Sequence, residues 1–230
     1  YKTLLDRGIK FIEPDTGDMA CGENGKGRFP EPKTIYEFIL SYIKESEILS
    51  NQFKNISILI TAGPTIEEID PIRFVSNKSS GKQGFEIATE LTKRGADVTL
   101  ISGPVNIPFP NCENVIRVNT AQEMLDKVTQ QLPADILICS AAVADWKLIP
   151  KTSSKNKIDT NNKIKKTNNK LLFETLNNPD ILETIAKSNL RPKLVIGFSA
   201  ETDNLKENAH SKLISKNIDL IIANDVSNNK

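Results

Sequence analysis

A guanidinium and a carboxamide stand four residues apart at Arg73 and Asn77, within a run of small polar residues. Such a pair can hold a carboxylate or phosphate, the guanidinium by forked, charge-assisted bonds and the carboxamide by donated N–H bonds. The plain alternative is a surface ion pair beside a turn asparagine. Just downstream, Ser79-Ser80-Gly81 precede apolar residues at three-residue spacing, Phe85, Ala88 and Leu91. They therefore open a helix whose first amides can seat an anion, which makes Ser80 and Gly81 candidate ligand contacts. No known phosphate loop is complete here. The pattern G-x-G-x-x-G after a strand finds only Gly63, and G-x-x-x-x-G-K-[ST] meets Ser76 at its first glycine and Gln83 at its last position. A capped helix after a loop fits these residues equally well.

Further along, Cys139-Ser140-Ala141-Ala142-Val143-Ala144-Asp145-Trp146 follows a buried apolar run. Small residues there permit close approach of a flat ligand, and Asp145 could meet ribose hydroxyls or a metal; a small-residue turn with a capping aspartate is the other reading. Lys163-Ile164-Lys165-Lys166 reads as solvated charge, or as a flap whose lysine closes on a triphosphate and stabilises developing negative charge. Asn178-Pro179-Asp180-Ile181-Leu182 opens a helix that is either ordinary or ligand-facing. Gly197-Phe198-Ser199-Ala200-Glu201-Thr202 ends a strand, where Phe198 either stacks on a base or belongs to the core. The single histidine, His210, lies among polar residues and reads as surface.

The elements that must position these groups alternate from residue 56 onward. Strands are expected at 56–60, 97–102, 115–118, 136–140, 194–198 and 220–223, and helices at 81–94, 120–131, 180–188 and 203–216. Thr120 with Glu123 forms a capping-box pattern, and Gly95 is a helix stop. Repeated β-α-β units at this spacing mean an α/β protein, a Rossmann-like, mostly parallel sheet with helices on both faces. Its crevice at the carboxyl ends of the strands is where a phosphorylated ligand sits. Residues 151–170, rich in Lys and Asn, read as an exposed loop or hairpin. Residues 1–34 carry so many glycines and prolines that they read as loop, followed by a helix over 34–49 capped by Thr34. The polar stretch 50–55 is the expected boundary, with domains over 1–50 and 51–230.

Thirty basic against 29 acidic residues leave no electrostatic case for a nucleic-acid or membrane partner. No apolar run reaches the length of about 18 residues needed to span a bilayer. Three scattered cysteines, Cys21, Cys112 and Cys139, form no C-x-x-C pattern, so a reducing, cytoplasmic setting is expected rather than a disulfide framework.

Seven of these stretches, in register from residue 56 to 230, resemble phosphopantothenate–cysteine ligase. They are 60–65, 70–77 with 79–82, 140–145, 163–166, 178–180, 197–202 and 223–226. In bacteria this ligase is commonly the C-terminal half of a bifunctional coenzyme A biosynthesis protein. The stretch Cys21-Gly22-Glu23-Asn24-Gly25-Lys26-Gly27-Arg28-Phe29-Pro30 looks like the end of the partner half, a flavin-dependent decarboxylase, in which Cys21 would be a proton donor. FMN would belong to that half, whose flavin-binding body is not in this chain, so decarboxylation is not expected from this chain alone.

The resemblance implies a two-step reaction in the cytoplasm, on 4′-phosphopantothenate, L-cysteine and CTP with Mg²⁺, by a homodimer. Asn77 would hold an acyl-cytidylate intermediate, with Arg73 ordering its loop and Ala141 and Ala142 beside the acyl group. Lys163 would meet the triphosphate and Asp145 the ribose. Cys139, Ser140, Pro179, Asp180, Ile181, Leu182, Phe198, Lys212 and Lys216 would complete the nucleotide site. The resemblance does not give the metal ligands. Two other readings predict different things. An NAD(P)-dependent oxidoreductase needs an acid at the end of the second strand, where Ser102-Gly103-Pro104 stands instead. A non-catalytic remnant, suggested by the chain's stopping at Lys230, would bind nucleotide without releasing pyrophosphate.

Overall fold

The structure, a computed structural model, describes residues 1–18, 24–152, 158–166 and 170–227. These divide into two compact units, Tyr1–Gln52 and Phe53–Lys230. The first holds a short helix α1 (Lys2–Asp6), an antiparallel ribbon of β1 (Asp15–Asp18) and β2 (Asn24–Arg28), and a long helix α2 (Pro32–Ser50). The expectation of loop through residue 34 is therefore corrected. Gly25 and Gly27 are tolerated in β2 because a two-stranded ribbon demands less side-chain packing than a central strand. Helix α2 starts at Pro32 rather than after Thr34, since proline suits a first helical turn, whose amides have no partners to lose. Its apolar stripe stays open at Ile39, Tyr42 and Ile43. Cys21 lies outside the described residues.

The second unit carries the sheet. In chain order it runs β3 (Ser57–Ala62), β4 (Ile66–Glu68), β5 (Phe74–Ser76), α3 (Lys82–Lys93), β6 (Asp97–Ser102), β7 (Asn114–Arg117), α4 (Ala121–Gln130) and β8 (Ile136–Cys139). It continues through β9 (Trp146–Lys151), β10 (Leu172–Asn177), α5 (Ile181–Ala186), β11 (Leu194–Glu201), α6 (Leu205–Ser215) and β12 (Leu220–Asp225). Six strands form one sheet in the order β12-β11-β8-β3-β6-β7, every pairing parallel. Read from β7 across, its strands come third, second, first, fourth, fifth, sixth, which is Rossmann order with the reversal between β3 and β8.

Alternation along the central strands supplies both faces. Ile58, Ile60, Val98 and Leu100 pack with Phe85 and Ala88 of α3, while Leu59, Ile101 and Leu137 pack with Met124 and Val128 of α4 and Ile181 and Ile185 of α5. The strands and helices of the alternating region match expectation to within about three residues at their ends, the usual uncertainty where helices fray and strands extend past their apolar core. Thr120 caps α4 by accepting from the Glu123 amide, and Glu123 returns a bond to the Asn119 amide rather than to the cap itself. Two features were not read as strands. The β4–β5 hairpin sits inside the long loop after β3, and β9–β10 form an antiparallel ribbon around residues 152–171.

Candidate functional site

Beside the reversal point, at the carboxyl ends of β3, β8 and β11, lies a cavity of about 380 Å³. Its walls come from Thr61 of β3, from Cys139, Ala141 and Asp145 at and after β8, from the Pro179–Leu182 turn, and from Phe198 and Lys212. The loops leaving β3 and β8 are stitched together past the sheet. The Ser140 amide donates to the Thr61 carbonyl, Ala142 to that of Gly63, Thr65 to that of Ala142, and Ala144 to the Thr65 hydroxyl. This zipper is why Thr61 and Thr65 are buried although polar, and it makes a rigid lip on one side of the cavity. Asn178 ties the other side to the same lip. Its amide donates to the Asp145 carbonyl at 2.8 Å and its side chain to the Ala144 carbonyl at 2.8 Å.

Asp180 joins two helices at the cavity wall. One carboxylate oxygen accepts from the Glu183 amide and caps α5, and the other pairs with Lys216 at the end of α6. On β11, beside Phe198, a methyl group on Gly197 would come 2.7 Å from Leu182 and 2.9 Å from Ile218. Burial pushes the Cys139 thiol up to about 12, only partly offset by a bond with Thr61, so it contributes a neutral wall.

A second feature lies where α3 begins. Gly63 and Gly81 both have positive φ, +73° and +74°, and a methyl on Gly81 would sit 3.3 Å from the Gly63 backbone. One on Gly84 would strike Ser140 Oγ at 2.5 Å and Ala62 Cβ at 2.6 Å. These are the three tasks of a G-x-G-x-x-G loop, namely a tight turn, an open backbone, and close packing of helix on strand. Here 17 residues, 64–80, stand between the first two glycines where the motif has one. Unlike α4 and α5, α3 has an N-cap residue, Gly81, with no side chain to cap it; the Ser80 hydroxyl accepts from the Lys82 amide at 3.3 Å instead.

Residues 53–230 match the family described as DNA/pantothenate metabolism flavoprotein C-terminal domain. The chain belongs to this family. It is 41% identical over 226 residues to the coenzyme A biosynthesis bifunctional protein CoaBC of Haemophilus influenzae, covering 98% of this chain and 54% of that protein. With the CoaBC of Borreliella burgdorferi it shares 43% over 227 residues, 98% of this chain and 55% of the relative. The chain thus spans about half the length of these curated relatives. The crystal structure of the C-terminal domain of a CoaBC superposes with a TM-score of 0.64 at 39% identity, over 76% of this chain and 80% of that one.

In this family member, Cys139, Ala141, Asp145, Pro179, Asp180, Ile181, Leu182, Phe198 and Lys212 line one cavity, and Lys216 joins them through Asp180. Ser140 and Ala142 belong to the zipper beside it. Asn77 reaches the rim, its side chain donating to the Val143 carbonyl at 3.0 Å. Ser80 and Gly81 stand at the start of α3. Phe198 both lines the cavity and packs against the core on the α3 side. Lys163 and Arg73 are exposed and stand apart from the cavity walls. Sequence reasoning did not single out Thr61 or Gly84. A residue facing a cavity only through strand parity leaves no local signal, although Gly81-x-x-Gly84 was visible once Gly63 was allowed a distant partner. Among the described residues no group of three or more His, Cys, Asp or Glu side chains could hold a metal, and no helix is long and apolar enough to cross a membrane.

Proposed function

We propose that residues 51–230 form a phosphopantothenate–cysteine ligase of coenzyme A biosynthesis, and that residues 1–50 are the tail of a decarboxylase half plus a linker helix. The observation that carries this reading is the cavity at the sheet's reversal point, where stretches from four parts of the chain converge beside a glycine-cradled helix N-terminus. A nucleotide fits across that edge. Its base would enter between Phe198 and the Pro179–Leu182 turn, its ribose would meet Asp145, and its phosphates would run toward the first turn of α3. The carboxylate of 4′-phosphopantothenate attacks the α-phosphate of CTP, and pyrophosphate leaves. The amine of L-cysteine then attacks the acyl carbon of the acyl-cytidylate, and CMP leaves. Asn77 would orient the acyl group over Ala141 and Ala142, while Lys163 would balance charge on the leaving pyrophosphate.

Magnesium is expected to enter with the triphosphate. Both Asp180 oxygens are already engaged by the Glu183 amide and Lys216, so Asp145 at the cavity mouth is the better-placed carboxylate to face it. FMN would serve the decarboxylase half, with Cys21 as its proton donor. The working unit would be a homodimer in the cytoplasm.

The NAD(P) alternative is weaker. A methyl on Gly103, at the end of β6, would lie 1.7 Å from the Pro64 carbonyl oxygen, so the loop after β3 covers the place where a dinucleotide's ribose would need an acidic partner. The test is pyrophosphate release by the purified chain given 4′-phosphopantothenate, CTP and Mg²⁺, with and without cysteine and with ATP as comparison. Release should require both phosphopantothenate and CTP. Asn77→Ala should lower it by about a hundredfold or more, the usual effect of losing one polar group aimed at a reacting centre. A folded protein that binds CTP but releases no pyrophosphate would overturn the reading and favour a non-catalytic remnant.

A further inference from the structure

Asp70 is a buried carboxylate in the loop before β5, its side chain wholly shielded from solvent. One oxygen, Oδ1, accepts from the amides of Ile72 and Arg73, each at 2.9 Å. The other, Oδ2, accepts from the Arg73 guanidinium at 2.8 Å and from the amide of Ile164 at 3.1 Å, across 94 residues of sequence. The same guanidinium nitrogen of Arg73 donates to the Ile164 carbonyl at 2.6 Å. Both polar backbone groups of Ile164 are thus taken by one Asp–Arg pair, and all the accepting capacity of the carboxylate is used. Burial by itself would push the Asp70 carboxyl up. The amides of Ile72, Ile164 and Arg73 and the guanidinium outweigh it, and the group stays ionised below its usual range.

Ile164 directly follows Lys163, and β5 directly follows Arg73 and leads to Asn77. We propose that Asp70 is a positioning residue: with Arg73 it clamps the backbone of Ile164, and so fixes the stance of Lys163 and of the Asn77 loop together without touching substrate. Arg73, read from the sequence as a ligand-binding or loop-ordering cation, acts here by holding the Lys163 segment. The clamp itself stands on geometry alone. Its catalytic consequence rests on the ligase reading.

Two readouts on the full chain test it. In limited trypsin digestion followed by mass spectrometry, Asp70→Asn should speed cleavage after Lys163, Lys165 and Lys166 by about tenfold, the effect of losing a charge-assisted bond, with other sites unchanged. Arg73→Gln removes the guanidinium from the Ile164 carbonyl while the Asp70 carboxylate keeps its bonds from the Ile72, Arg73 and Ile164 amides, so it carries the test if Asp70→Asn fails to fold. Unchanged cleavage in both variants would overturn the clamp. In steady-state kinetics Asp70→Asn should raise the nucleotide KM on the wild-type background yet add nothing on a Lys163→Gln background. A full additional loss on that background would show that Asp70 does not act through Lys163. If the wild-type chain releases no pyrophosphate, the ligase reading fails, while proteolysis still decides the clamp.

Discussion

At the scale of single residues, the site is shaped as much by absent side chains as by reactive ones. Gly197 is one such position, because the ends of Leu182 and Ile218 lie where its methyl would be. Gly197→Ala should displace the flexible end of Leu182, which lines the cavity. Because both obstructing atoms are side-chain ends, the stability cost should stay near the low end of overpacking, about 1 kcal/mol. The nucleotide should bind about tenfold more weakly, which titration calorimetry with CTP would measure. Unchanged CTP affinity in the Gly197→Ala variant would place the base elsewhere. Asp145 and the Asn178-Pro179-Asp180 helix start drew attention by their own side chains, and Lys212 and Lys216 only through the family resemblance; the structure puts Asp145, Asp180 and Lys212 in the cavity wall. Their place in one wall and that of Thr61 were not legible, because the face a strand residue presents is set by register with neighbouring strands.

At the scale of elements, the amino-terminal ends of β3, β8 and β11 are held by one carboxylate. Asp135 accepts from the amide and hydroxyl of Ser57 at 3.0 and 2.9 Å and from Lys193 at 2.8 Å. The Lys193 ammonium and the Ser57 donors hold its carboxyl down at about 2, against an ordinary 3.8. A carboxylate depressed in this way contributes stability that is present above its unfolded pKa and is lost as pH falls through the folded one. The partner works in the opposite sense: Lys193 is raised above 10.5, so its contribution is lost only as pH climbs through that raised value. Thermal unfolding should therefore show Asp135→Asn less stable than wild type at neutral pH, with the gap closing as pH drops from 3.8 to about 2. A gap independent of pH would mean that the bonds to Ser57 matter and the charge does not. This staple, like the β4–β5 hairpin, could not be read beforehand, because its partners lie 78 and 58 residues apart.

At the scale of the whole molecule, the β9–β10 ribbon stands out. Trp146, Leu172, Phe173 and Leu176 are all exposed on it, and a two-stranded ribbon is at best marginal by itself in water. A second copy of the chain covering this surface is the expected partner in the proposed homodimer. Light scattering should give twice the chain mass for wild type, and Leu172→Glu with Leu176→Glu, two changes on one face of β10, should shift the protein toward monomer. A wild-type monomer at micromolar concentration would remove the dimer from the proposal. Balanced global charge gave no argument for a nucleic-acid or membrane partner.

The sequence by itself determined the alternation of strands and helices, the Rossmann-like class and the helix starts at Thr120 and Asp180. Those features depend on apolar periodicity and on side chains that bond within a few residues of themselves, both local properties. Tertiary structure alone decided that Gly63, Gly81 and Gly84 act as one cradle, that the loops after β3 and β8 are zipped, and that Asp70 clamps Ile164. The glycines lie on either side of the β4–β5 hairpin, and the other two join groups separated by at least one crossover; their free energy exists only once strand order and register have brought them within bonding distance.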